Sequence, residues 1–196
     1  MNKREFITGA IAVTGSALAS NAGLRDALGC EGASVTAVLY DARYGDARAF
    51  AAALTGRGAT AHRTGQDVVA SWYRDVRDLA ARPHARIAGL TPHSDLALLQ
   101  DCAAELRLKL LYEGLPDRRR TAGLVHTVRA RGALANAAVR GLCSAQTEWT
   151  GALAAVLGRA ASRGDWSAWQ NVVQPDVWPA ADHPGTLASW MIGIPA

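Results

Sequence analysis

Lysine is nearly missing from this chain. Of 21 basic residues only Lys3 and Lys109 are lysines, and the arginines are spread through an alanine-rich sequence with a net charge of +4. The one basic run, Arg118-Arg119-Arg120, adjoins Pro116 and Asp117 and reads as a solvated turn. No RNA-binding aromatic motif, zinc-finger spacing or helix-turn-helix pattern is present, so nucleic acid is not the expected partner. Cysteine is scarce as well. Cys30, Cys102 and Cys143 form no C-x-x-C pair, which excludes a disulfide framework and a thiolate metal site. Cys102 follows Leu98 and Leu99 at helical spacing and reads as a small core residue, while a Cys30–Cys143 bridge stays open. No apolar run is long enough to make a good membrane span.

The familiar catalytic signatures are absent too. There is no G-x-G-x-x-G after the first strand, where "DARYGDARA" stands, so a dinucleotide cofactor of the usual type is not expected. There is no P-loop, G-x-S-x-G elbow or H-E-x-x-H motif. His62, His84, His93, His126 and His183 are dispersed, with no pair at ligand spacing, so no metal site is expected. Asp41 closes a strand as the acid of phosphotransfer receivers does, but the paired acid and the later lysine are missing.

What is present is a chain of 196 residues, 49% hydrophobic and 19% charged, which fits one globular domain with a proper core. Its start, "MNKREFITGAIAVTGSALASNAG", has a short charged head and then an uncharged run from Phe6 to Ala22 with small residues at its end. "KREFIT" resembles a twin-arginine export motif, with Lys3 where the first arginine normally stands and Phe6 two after Arg4. Residues 1–22 are therefore expected to be a signal peptide and the protein to be periplasmic. The alternative is a cytoplasmic protein that starts with an ordinary amphipathic helix. Losing Lys3, Arg4 and Glu5 with the leader lowers the net charge from +4 to +3. Arg25 and Asp26 interrupt the apolar stretch before "ALGC", which sets aside lipid attachment at Cys30.

From residue 34 onward, strand and helix alternate. "SVTAVLYD", "ATAHRT", "ARIAGLT" and "KLLYEG" read as strands. The segments between them carry apolar residues at helical spacing: Phe50, Ala51 and Leu54; then Val69, Trp72, Val76 and Leu79; then Leu96, Leu99, Cys102, Ala103 and Leu106. Asp46 is placed to cap the first helix and Gly56 or Gly58 to end it. This predicts a single α/β domain over 34–196 with a mainly parallel, Rossmann- or flavodoxin-like sheet between helices. Residues 34–114 supply the βα repeats. In 123–162, "GLVHTVRA" predicts an antiparallel edge strand, and a helix with a break near Gly141 is expected to follow. Residues 163–196 form a Trp-rich tail of little regular pattern that ends in a last strand, "TLASWMIGI".

In such a sheet ligands bind beyond the carboxyl ends of the strands. The residues expected there are Asp41, Arg43 and Tyr44; Thr64, Gly65 and Gln66; Thr91, His93 and Ser94; and Glu113. Thr91 or Ser94 has a simpler use, accepting a backbone N–H at the helix start, with Asp95 favouring its positive end. The ligand reading draws Asp41, Tyr44, Thr91, His93, Ser94 and Glu113 together, with His93 as base or ligand. The tryptophans Trp166, Trp169 and Trp178 either pin the tail to the domain or form a partner interface.

The segments "KREF", "VLYDARYGDARAFAA", "SWY", "IAGLTPHSDL" and "LASWMIGI" make most of the chain similar to uncharacterised bacterial exported proteins that carry a twin-arginine-type (Tat) signal and a small α/β domain. The resemblance implies export in the folded state, a route taken by many redox enzymes and by companions that travel with them. It brings no activity or site residues. The expected function is a non-catalytic accessory protein, a small partner or maturation factor of a larger exported oxidoreductase. It needs no cofactor of its own and touches the membrane only through the leader. The alternative is a small-molecule binding protein or enzyme using the strand-end crevice.

Overall fold

The apolar run "AVLY" forms β1 (Ala37–Tyr40), its β-branched and leucine side chains buried on both faces. Helix α1 (Gly45–Thr55) follows after four residues. Its N-cap position falls to Tyr44, and Asp46 stands inside the first turn, where its charge meets the positive helix end. Gly56 closes it as expected. After β2 (Thr60–Arg63), the side chain of Asp67 accepts the Ala70 N–H at 2.9 Å and starts α2 (Val68–Ser71). One π-helical turn (Trp72–Val76) then leads into α3 (Arg77–Ala80). Next come β3 (Arg86–Pro92), α4 (His93–Glu105), β4 (Lys109–Arg119) and β5 (Gly123–Arg131). They are followed by α5 (Ala133–Ser144), α6 (Trp149–Ala160), β6 (Trp169–Pro175) and β7 (Leu187–Gly193). This computed structural model describes residues 35–119, 123–131, 133–144, 149–160, 169–175 and 187–194.

The fold is α/β: one seven-stranded mixed sheet in the order β2-β1-β3-β7-β4-β5-β6, flanked by helices. β2, β1 and β3 are mutually parallel, as the βα repeats predict. Beyond them every pairing is antiparallel. The β4–β5 hairpin is the antiparallel element expected, and β4 runs on through Arg118 to Arg119, so two of the three arginines are strand residues. Within the stretch read as an irregular tail, Trp169–Pro175 forms β6 and pairs with β5. β7 is the last strand expected, but it lies in the centre of the sheet, antiparallel to both β3 and β4.

Two cores follow from this arrangement. One face of the sheet carries α1, α5 and α6 over Val38, Leu90, Leu111 and Met191. The other carries α2, the π turn, α3 and α4 over Leu39, Ile87, Trp190 and Ile192. Cys102 is buried in the second core, as its spacing predicts. All seven residues of β7 are buried, because it has neighbours on both edges and helices on both faces. Trp190 is fully buried and its indole fills the space beside its ladder partner Gly89, where a Cβ would overlap the indole carbons. Only a residue without a side chain leaves room for that ring.

Candidate functional site

The strand ends of β1 and β3 meet at the start of α4. Asp41, one residue beyond β1, is buried, and Arg43 grips it with the Nε–H at 3.0 Å from each oxygen and the Nη2–H at 2.6 Å from Oδ2. The Arg43 backbone N–H adds a bond at 3.0 Å to Oδ1. Burial pulls the Asp41 carboxyl upward, but these bonds and the guanidinium charge outweigh it and hold the group below the ordinary carboxylate range. The opposite holds for Asp95, in the first turn of α4. Burial first, and then the charge of Asp41, push its carboxyl up, against a long 3.5 Å bond from the Ser94 hydroxyl. Two carboxyls in one region are thus driven apart in acidity. Tyr44 sits at the N-cap of α1, half-buried against the first core, with the Arg43 guanidinium 5.7 Å from its ring centre.

On the other side of α4 the key group is Glu113. A bulge in β4 between Leu110 and Tyr112 shifts the alternation by one residue, so both Leu111 and Tyr112 join the first core. That shift turns Glu113 to the face of α4, beside its ladder partner Trp190. Its side chain is only 5% exposed. Arg129, its partner across β5, donates from Nη1 to Oε2 at 3.0 Å, and His93 Nε2 stands 3.7 Å from Oε1. Both partners are more than half exposed, 54% for Arg129 and 59% for His93. A buried carboxylate is thereby reached from the surface by one guanidinium and one imidazole.

Thr91 takes a different position. It is fully buried, and its hydroxyl accepts the indole N–H of Trp190 at 3.0 Å. Neither it nor Ser94 caps α4: the N-cap residue is Pro92, with no side-chain bond to the helix start. The corner "TPHSD" therefore anchors a tryptophan 99 residues away through Thr91 and turns His93 and Ser94 outward, both exposed. Pro92 lacks a side-chain acceptor, which is why the capping expected from the sequence does not occur.

Of the residues expected here, Asp41, His93, Ser94 and Glu113 gather around the start of α4, whereas Thr91 lies beneath and Tyr44 toward the opposite core. Asp95, expected only to favour the positive end of the helix, and Arg129, not singled out at all, also belong to the cluster. Asp95 lies two after His93 in the same corner, and Arg129 alternates with Thr127 along a strand pattern that places it opposite β4. Trp166, Trp178 and residues 1–22, expected to be a signal peptide, lie outside the described residues; Trp169 opens β6. Among the described residues no three His, Cys, Asp or Glu side chains gather as a metal site, and no helix is long and apolar enough to cross a membrane. No protein-family model, curated protein or solved structure matches the chain.

Proposed function

We propose that this protein binds a small polar molecule at the strand ends around the start of α4, as a binding protein or an enzyme with a Rossmann-like parallel half. The observation that carries this reading is Glu113, a buried carboxylate tied to the exposed His93 and Arg129. Glu113 keeps its carboxylate buried while its two partners, both more than half exposed, present their remaining nitrogen groups at the surface, where a polar molecule can meet them. In this reading His93 meets the ligand, Glu113 orients its ring, Arg129 holds an anionic group, and Asp41 and Asp95 receive a donor. Thermal-shift screening against polar metabolite-sized compounds tests it. A compound that stabilises the wild type and loses its effect in His93→Ala supports the site. A compound whose effect persists unchanged in both His93→Ala and Glu113→Gln sinks it.

A second reading, the exported accessory partner of a larger oxidoreductase, is favoured by one feature. The Trp-rich stretch supplies β6, which ends the sheet and pairs on one side only among the described residues. An edge strand offers backbone groups to a partner chain. Recovery of a larger exported enzyme with the tagged protein from native periplasm supports it, and a monodisperse, partnerless protein counts against it.

A further inference from the structure

The opposite end of the sheet has a different character. The strands β2, β3 and β4 are entered there through residues 56–59, 81–85 and 106–109, which carry Arg57, Arg82, His84, Arg107 and Lys109 and no Asp or Glu. All five of those side chains are exposed. Arg159, exposed in the last turn of α6, joins them, because Gly158 lies against the Arg57 side chain. Among the described residues, Glu105 at the end of α4 accepts the Tyr73 hydroxyl at 2.6 Å, and Asp78 lies in the single turn of α3. At the other end the corresponding connections, 41–44 and 64–67, contain Asp41 and Asp67 and a single basic residue, Arg43. Four arginines and one lysine that lie far apart in the sequence are therefore brought by the topology to one pole.

An apolar group stands among them. Gly193, the last residue of β7, pairs with Arg86 on one side and Lys109 on the other, and Ile194 follows it half exposed. His84 and Arg107 both have φ of 58°, which holds these two connections short and turned sharply. No Phe, Tyr or Trp occurs in the three connections, so they offer no large ring on which the bases of single-stranded nucleic acid can stack.

We infer that this basic pole, with Ile194 at its middle, is a docking surface for an anionic phospholipid bilayer. Cations near such a surface each contribute about 1 kcal/mol, and an apolar side chain among them adds contact with the acyl boundary. The pole lies opposite the α4 site, so docking leaves that site facing away from the membrane.

The test is sedimentation of the full chain with vesicles of phosphatidylcholine and phosphatidylglycerol, with pure phosphatidylcholine vesicles beside them. The variant Arg82→Gln/Arg107→Gln/Lys109→Gln is compared with Arg48→Gln/Arg63→Gln/Arg74→Gln, which removes the same charge elsewhere. Any contribution of the N-terminal segment is common to all arms, and unchanged melting temperatures show that each variant is folded. The pole variant is expected to lose at least about tenfold in partition onto the anionic vesicles, with the control variant within about twofold of wild type. Ile194→Ser is expected to weaken the binding that survives high salt. Equal losses in the two triple variants, equal binding to pure phosphatidylcholine, or a loss confined to binding of duplex DNA overturns the proposal. None of these results bears on ligand binding at α4.

Discussion

The contact between Gly89 and Trp190 gives the sharpest test of the packing. Gly89→Ala places a methyl group where the indole lies, and the ring has nowhere to retreat, being fully buried between β3, β4 and α4 with its N–H held by Thr91. Overpacking of a filled core costs about 1–3 kcal/mol, and this site belongs at the upper end because the clash is with a rigid ring. A loss of about 3 kcal/mol corresponds to a fall of about 6–12 °C in melting temperature for a domain of this size. Trp190→Leu costs about 2 kcal/mol by itself, less than the range for truncating a tryptophan to alanine. In the double variant the methyl group meets no ring. The Gly89→Ala cost should then vanish, and relief of chain entropy can even make it favourable by about 0.5 kcal/mol. The assay is urea unfolding followed by circular dichroism for wild type, both single variants and the double variant. A coupling of about 3 kcal/mol is expected, and additivity within about 0.5 kcal/mol refutes the placement of Trp190 over Gly89.

Other consequences can be read by the same methods. Thr91→Val leaves the indole N–H of Trp190 buried without an acceptor and should cost about 1–3 kcal/mol in urea unfolding, whereas Thr91→Ser should cost less than half of that. Arg43→Gln removes what holds the Asp41 carboxyl low. The stability that Asp41 contributes is present above the ordinary carboxylate range and lost as pH falls through its folded value. The variant should therefore melt below wild type at neutral pH and converge with it in acid; a gap that persists in acid contradicts this. Asp95 is displaced the other way, so its charge weighs against the fold above its folded value and ceases to as pH falls through it. Asp95→Asn should raise the melting temperature at neutral pH, and the gain should disappear in acid; a loss at neutral pH is the contrary result.

The sequence made the first half of the fold legible because each of its elements has a strong local period. Phe50, Ala51 and Leu54 line one side of α1, and "ARIAGLT" is a continuous apolar run, so existence and type follow from neighbouring residues alone. The order of strands within the sheet depends on contacts between distant segments. Nothing near "LASWMIG" tells that it inserts between β3 and β4, although Gly89, a bare position in a buried strand, is the mark left by its tryptophan. β6 was hidden because "WQNVVQP" mixes polar and apolar residues without strict alternation. In the site, residues at strand tips were legible from topology. The orientation of Glu113 was not, since it depends on a one-residue bulge at Leu111. Nor was the partner of Thr91, which a capping rule assigned to the nearest backbone and the fold assigned to Trp190.

Binding at the start of α4 is the central claim, and an amide NMR titration measures it most directly. With the compound that gives the largest thermal shift, the account predicts saturable shifts concentrated in residues 91–96 and at Asp41, Glu113 and Arg129, all abolished in Glu113→Gln. Saturable shifts that cluster elsewhere and survive that substitution would contradict it.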